Sequence, residues 1–197
     1  MTVQTILVTI ASLLAVFGNL PYIKDVLKGK ISPHPFTWFL WSVVSLVTFF
    51  GAWQKGAGLG VIPIFVSEIF TFIIFLLALK NASRNSFKDI QRKDIIFLVI
   101  ALLGLIPWYF TKDPTMSVII VVCIDLIAFI PTILKTYRNP ESENPILFGS
   151  NLLRHILIMF SLDNYNIATT LHSISMIISN FLMLLVIFKN KIFSNKK

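Results

Sequence analysis

Long apolar runs alternate with short polar connections along the whole chain. Each run has about the 20 mostly apolar residues that a membrane-spanning helix needs. The runs cover, in order, residues 3–27, 36–54, 59–80, 94–111, 115–137, 145–162 and 167–189. The connections are too short to build a soluble core. The pattern therefore predicts an all-α membrane protein with seven transmembrane helices.

The composition supports this interpretation. Of the 197 residues, 56% are hydrophobic and 13% are charged, whereas about a quarter of a soluble domain is charged. The mean hydropathy is +0.82. The first apolar run lacks the basic start of a signal peptide and is longer than a signal core, so we expect it to be a retained helix. The single cysteine, Cys123, excludes an internal disulfide.

Basic residues lie almost entirely in alternate connections. Fourteen of the seventeen Lys and Arg residues follow the first, third, fifth and seventh runs, while Lys55 and Lys112 lie on the opposite side and Arg154 lies inside a run. By the positive-inside rule, the C-terminus is cytoplasmic and the N-terminus is outside. Because topology accounts for the net charge of +8, no nucleic-acid partner is predicted.

The chain aligns with itself after a shift of 110 residues, which brings Pro21 onto Pro131 and Pro35 onto Pro145. Two parallel three-helix repeats joined by a linker helix are predicted, because three spans invert the second copy and a fourth restores its orientation. Their bounds are 1–81 for the first repeat, 82–112 for the basic loop and linker, and 113–197 for the second repeat. Pro21 and Pro131 lie inside predicted helices, where a proline removes a hydrogen bond; each is either a hinge or a static kink.

With a proline near the end of the first helix of each repeat, this three-plus-one-plus-three arrangement resembles the PQ-loop superfamily, which includes the SWEET sugar transporters and the KDEL receptors. The resemblance covers nearly the whole chain. It implies a transporter or a receptor with a site between the repeats. Tyr22 and Thr132 follow the prolines where the superfamily has glutamine, so no substrate is carried over. The stretch PHPFTWFLW is also similar to the second helix of a group of small bacterial membrane proteins.

Two opposite charges are predicted at similar depth in the second repeat. Asp125 lies about 16 Å inside the fifth run and Arg154 about 14 Å inside the sixth, at 1.5 Å per residue. Charged groups at this depth are costly and often functional. We expect an ion pair between them, acting either as a structural clamp or as a substrate or proton site.

Glu68 in the third run has no basic partner in its own repeat. It is either protonated in place, bound to the ligand or the acceptor of a coupling proton. His155 and His172 are expected to be hydrogen-bonded packing residues, with His155 pointing about 100° away from Arg154 around the helix. No spacing indicates a metal site or a cofactor.

Three further residues are candidates for the substrate site. Trp41 lies a turn deeper than Trp38, which fits an aromatic belt at the membrane surface. Asn151 aligns with Trp41 in the repeat, so the two residues can face each other across the axis between repeats. Asn19 is a polar group at membrane depth, where such groups also join helices.

These features predict a small-molecule transporter that works by alternating access around a midplane site. The alternative is a ligand-binding receptor of KDEL-receptor-like architecture without net transport. No catalytic motif points to an enzyme. The expected partners are membrane lipid and a small polar solute, with proton coupling and homo-oligomerisation left open. The composition favours a bacterial inner membrane over an organelle membrane.

Overall fold

The computed structural model describes residues 2–29, 35–81, 92–103, 105–138 and 145–194. Within these ranges all regular structure is helical. A four-residue 3-10 helix, Gly58–Val61, leads into the third α-helix. The α-helices are α1 (Val3–Leu27), α2 (Pro35–Gln54), α3 (Ile62–Asn81), α4 (Arg92–Leu103), α5 (Leu105–Thr111), α6 (Thr115–Arg138), α7 (Pro145–Met159) and α8 (Ile167–Ser194).

Every apolar run predicted from the sequence contains helix, so the all-α class is confirmed. In the described ranges, three helical stretches are long and apolar enough to cross a membrane: Val3–Leu27, Gly58–Lys80 and Ile167–Phe188. Three apolar helices are shorter: Trp38–Gln54, Thr115–Ile127 and Pro145–Met159. These helices are consistent with a membrane protein. The predicted basic loop at 82–91 lies outside the described residues.

Local side-chain chemistry marks where several helices begin. The Thr2 hydroxyl accepts a hydrogen bond from the Thr5 amide at 3.2 Å and caps α1. The Asp113 carboxylate accepts from the Thr115 amide at 2.9 Å at the start of α6. Asn166 caps α8 by accepting from the Thr169 amide at 3.2 Å, while the Thr169 hydroxyl accepts from the Asn166 amide. Such caps satisfy amides that have no partner within the helix.

The outer surface of the bundle is apolar, and several buried positions are polar. Leu and Ile side chains on one face of α1 and aromatic side chains such as Phe17, which is 65% exposed, point outward. The opposite face buries Ala11, Ala15 and Asn19. On α8 the exposed face includes Ile178 and Phe181. A contiguous apolar exterior of this kind is unusual for a soluble monomer and fits a lipid environment.

One packing order recurs in the two halves of the chain. In the first half, α3 packs against both α1 and α2. In the second half, α8 packs against both α6 and α7. The halves meet where α1 packs against α7 and where α2 packs against α6, and α4 and α5 lie beside these helices against α2 and α6.

Small residues allow the halves to approach closely. A Cβ on Gly18 of α1 would lie 2.7 Å from the Ser150 hydroxyl oxygen on α7. A Cβ on Gly51 of α2 would lie 2.6 Å from a methyl group of Val118 on α6. Both contacts between the halves therefore depend on a missing side chain, as is common where membrane helices cross.

Pro21 and Pro131 lie within helices, as predicted. Helix α1 continues to Leu27 beyond Pro21, and α6 continues to Arg138 beyond Pro131. Their roles as hinges stay predictions.

Candidate functional site

An acidic side chain is buried between the second and third helices. Glu68 on α3 is only 4% exposed, and its Oε1 accepts a hydrogen bond from the Ser42 hydroxyl on α2. Its Oε2 is buried and has no hydrogen-bond partner in the described structure. Glu68 therefore keeps one buried oxygen free for a proton or a ligand.

A basic cluster is buried between α7 and α8. It consists of Arg154, His155, His172 and Ser173. Arg154 Nη2 lies 3.2 Å from His155 Nε2, and His155 Nδ1 lies 3.3 Å from the Ser173 hydroxyl oxygen. The two imidazole rings are 5.3 Å apart and nearly perpendicular, at 76°. A chain of polar contacts thus joins the two helices.

The contacts of His155 define its tautomer. A guanidinium group can only donate hydrogen bonds, so His155 Nε2 accepts from Arg154. The ring proton is then on Nδ1, which donates to the Ser173 hydroxyl. His155 is a neutral imidazole that orients Arg154 and is itself oriented by α8.

Much of the hydrogen-bonding capacity of the basic cluster is unused. Arg154 Nε and Nη1 and His172 Nδ1 are buried without a hydrogen-bond partner in the part of the chain that is described. The same part of the structure contains no group of three or more His, Cys, Asp or Glu residues that could hold a metal ion. The unused guanidinium nitrogens can only donate hydrogen bonds, so they suit an acceptor such as an anion.

Asp125 and Arg154 are not brought together. Both side chains are described, and no ion pair joins them, in contrast to the expectation from sequence. The reason is the packing order, because α8 packs against both α6, which carries Asp125, and α7, which carries Arg154. The half-buried Asp125 carboxylate therefore faces a different environment from the Arg154 guanidinium.

Helix α7 begins at Pro145, where the predicted run begins, so the backbone of Arg154 lies about 14 Å from that helix end, as predicted. The helix ends at Met159, five residues beyond Arg154, so the backbone of Arg154 lies only about 8 Å from this other end. The basic cluster therefore lies toward the end of the bundle where residues 160–166 connect α7 to α8. We call this end, which also contains residues 55–57 and 112–114, the Asp163 end.

The aromatic candidate belongs to a row of rings. Trp41 packs edge-on against Trp38, with centroids 5.2 Å apart, and Trp38 contacts Tyr22 at 5.1 Å. Tyr22 follows Pro21, so this row links the proline of α1 to α2. No hydrogen bond joins Trp41 to Asn151, although both side chains are described and partly buried.

Asn19 is buried, and its amide nitrogen donates to the Ala15 carbonyl at 2.7 Å within α1. Asn180 on α8 makes the same type of bond, to the Met176 carbonyl, at 2.7 Å. Each amide therefore satisfies its own donor locally, next to a contact between helices. The site residues predicted from the sequence do not include Asn180.

A hydrogen-bond network joins the connections at the Asp163 end. Gln4 Nε2 at the start of α1 donates to the Ser161 carbonyl at 2.9 Å and to the Asp163 carboxylate. The Asp163 amide donates to the Ala57 carbonyl at 3.2 Å. These bonds tie the first half of the chain to the connection between α7 and α8.

Lys55 and Asp113 form a second link at this end. Lys55 Nζ lies 2.8 Å from the Asp113 carboxylate, joining the connection after α2 to the connection before α6. Hydrogen bonds from Lys55 and from Thr115 hold the pKa of Asp113 well below its usual range. This exposed ion pair is subject to screening by salt.

Comparison with protein families, with curated proteins and with solved structures finds no significant match to this chain.

The sequence contained a signal that His172 and Ser173 lie close to His155. His155 lies four residues before the end of α7, and His172 lies five residues after the start of α8. In an antiparallel helix pair these positions face each other at one level. The length of the Arg154 side chain also lets it reach His155, although the two Cβ atoms point in different directions.

Proposed function

We propose that the chain is a small-molecule membrane transporter that works by alternating access between two three-helix units. The units are residues 1–81 and 113–197, joined by the linker at 82–112. In this proposal the molecule has seven spans, with the N-terminus outside and the C-terminus in the cytoplasm of a bacterium. The distribution of basic residues supports this orientation.

The recurring packing order supports two related units. The third helix of each unit packs against the other two, and the first helix of each unit packs against the second helix of the other, in the pairs α1–α7 and α2–α6. A twofold axis between the units would produce this set of contacts. Rocking of parallel repeats about such an axis is a known route to alternating access.

The observation that carries the proposal is the placement of unpartnered ionisable groups. The interface of the second and third helices contains Glu68 in the first unit and Arg154 with His172 in the second unit. Unsatisfied polar groups inside a membrane protein are expensive, so retaining them in both units favours a functional role.

The remaining candidates have assigned roles in this proposal. Asp125 and Glu68 are the groups available for a proton or for a cationic part of the solute. Trp41 offers an aromatic face, and Asn19 and Asn151 offer amide groups close to the contact between α1 and α7. Pro21 and Pro131 act as hinges near the cytoplasmic ends of α1 and α6.

The closed Asp163 end corresponds to the outside in this orientation. Opening toward the outside then requires the bonds from Gln4 to the connection between α7 and α8 to break. The structure would accordingly represent a state closed to the outside.

Uptake into proteoliposomes tests the proposal. Labelled sugars, nucleosides, vitamins, amino acids and short peptides are offered with and without a pH gradient. We expect uptake of one class, and we expect Asp125→Asn to abolish the uptake or its dependence on the gradient. Asp113→Asn is the matched control, because this carboxylate lies in a connection outside the helices. If the Asp125→Asn protein is destabilised but still takes up the solute, Asp125 has a structural role and no direct role in transport.

The receptor alternative gives a different result. A receptor would show saturable binding of a solute from the panel with no flux under any gradient. Saturable binding without flux would contradict the transporter proposal and support a receptor.

A further inference from the structure

The guanidinium group of Arg154 is buried without a counter-charge in the described structure. The side chain is 7% exposed, and the Asp and Glu side chains that are described form no ion pair with it. One nitrogen, Nη2, contacts His155, and the other two nitrogens have no partner. His155 supplies a neutral acceptor and leaves the positive charge uncompensated.

An uncompensated buried charge is strongly destabilising. Removing an ion from water has a large free-energy cost even after the protein relaxes, unless an opposite charge and hydrogen bonds compensate. Arg154 has donors available for such a partner, and His172, whose Nδ1 also has no partner, packs against the ring of His155. Among the described residues, the cluster therefore has unused polar atoms and no ion pair with a negatively charged side chain.

A polar face of α8 leads away from the basic cluster. His172, Ser175 and Ser179 follow each other at spacings of three and four residues, which places them on one face of the helix. All three are buried. The Ser175 hydroxyl donates to the His172 carbonyl at 2.8 Å, which keeps this side chain close to the helix backbone. The buried face is thus polar along two turns beyond the cluster.

We propose that the basic cluster binds a carboxylate or phosphate group carried by the transported solute, with Arg154 supplying the positive charge and His172 a further polar contact. The guanidinium group is suited to these anions because its N–H groups are fixed in a plane and stay charged. This inference rests on the proposed function, since it names the substrate class of the same site.

Thermal unfolding in a neutral detergent tests the inference without any transport. The probes are inorganic phosphate, acetate and succinate, compared with sodium chloride at equal ionic strength. We expect at least one probe to raise the Tm of the unmodified protein by several degrees at saturation, because a ligand bound only to the folded state stabilises it. An equal Tm in all four salts would overturn the inference.

Arg154→Gln is the decisive variant. Glutamine removes the positive charge and keeps a polar side chain at the buried position. We expect the Tm without added anion to stay the same or to rise, and the stabilisation by the probe to be lost. Arg138→Gln, which alters an exposed arginine at the end of α6, is the matched control and should keep the stabilisation. An Arg154→Gln protein that still responds to the probe would contradict the inference.

Arg154→Lys covers the case in which the glutamine variant does not fold. Lysine keeps the charge but lacks the planar set of donors, so we expect a weaker response that needs at least a tenfold higher probe concentration. A response equal to that of the unmodified protein would show that the probe binds elsewhere.

A lipid phosphate offers the same chemistry as a soluble phosphate, and nanodiscs separate the two sources. Stabilisation that requires anionic lipid and is absent with all soluble probes would overturn the assignment to the solute. Anion binding without flux would leave the anion site at Arg154 standing, but it would remove the transporter proposal and with it the assignment of the anion to a transported solute. Flux of a neutral solute without anion binding would support the transporter proposal and overturn the anion site at Arg154.

Discussion

Gly58 and Asp163 occupy adjoining space at the Asp163 end of the bundle. Gly58 has a φ of +62°, and a Cβ at this position would overlap the Asp163 carboxylate. The Asp163 amide also donates to the carbonyl of Ala57, the residue before Gly58. The connection between α2 and α3 therefore fits against the connection between α7 and α8 only when residue 58 has no side chain.

Gly58→Ala should destabilise the protein more than Gly29→Ala. Both glycines have positive φ, at +62° and +68°, so each alanine costs roughly 1–2 kcal/mol of conformational strain. A Cβ on Gly29 would meet nothing within 4 Å, whereas a Cβ on Gly58 would displace Asp163. Overpacking typically adds about 1–3 kcal/mol. Thermal unfolding of both variants measures the difference, and equal Tm values would show that Asp163 yields freely.

The ion pair between Lys55 and Asp113 should make stability depend on pH in acid. The pKa of folded Asp113 lies below its ordinary value of 3.8, chiefly because of the hydrogen bond from Lys55. The contribution to stability is therefore complete above the ordinary value and is lost as the pH falls through the lower folded value. The Tm advantage over Asp113→Asn should shrink as the pH falls from about 5 to about 3.

Asparagine preserves an oxygen that can cap α6 by accepting from the Thr115 amide, so the comparison isolates the charge. High salt should reduce the same difference in Tm at neutral pH, since the pair is exposed. A difference that does not change with pH would show that Asp113 acts only as the helix cap.

Gln4→Ala should loosen the Asp163 end. Gln4 supplies two hydrogen bonds to the connection between α7 and α8, and Ser161 in that connection is 1% exposed. With Cys123→Ser and Ser161→Cys as background, we expect a membrane-impermeant maleimide to label residue 161 several-fold faster after Gln4→Ala. Thr9→Ala is the control, because the Thr9 hydroxyl bonds only within α1. An unchanged labelling rate would show that the hydrogen bonds of Gln4 do not keep residue 161 inaccessible.

Pro131→Ala should slow transport more than it weakens binding of the solute. An alanine restores the backbone donor that proline lacks and stiffens α6. Initial rates of uptake and a binding isotherm, measured on the same preparation, separate the two effects, and Pro21→Ala is the matching variant in α1. Equal losses in rate and affinity would contradict the hinge role.

The approximate position of the helices was predictable from the sequence, although α7 ends three residues before its predicted run and α8 ends five residues after its own. Helix α1 spans Val3–Leu27, which matches the predicted run at 3–27, and α6 begins at Thr115, where its run begins. Helix formation here depends on local properties: an apolar stretch of about 20 residues, bounded by caps such as Asp113 and Asn166. These properties can be read without knowing any neighbour.

The partners of the buried charges were not predictable in the same way. Asp125 and Arg154 have suitable charges and similar predicted depths, but depth along a helix does not say which helices pack together. The tertiary structure places α8 against both of their helices, and Arg154 contacts His155, whose ring packs against His172 of α8, instead of Asp125.

The sequence by itself determined the helical class, the apolar exterior and the placement of basic residues in alternate connections, because each follows from composition and spacing along one chain. The tertiary structure decided which polar groups meet. Close approaches at Gly18 with Ser150 and at Gly51 with Val118 select the helix pairs. Within each half, the pairs α2–α3 and α7–α8 bury Glu68 and Arg154 with unused hydrogen-bonding atoms. Pair selection depends on how whole surfaces fit, and no single run of residues contains that information.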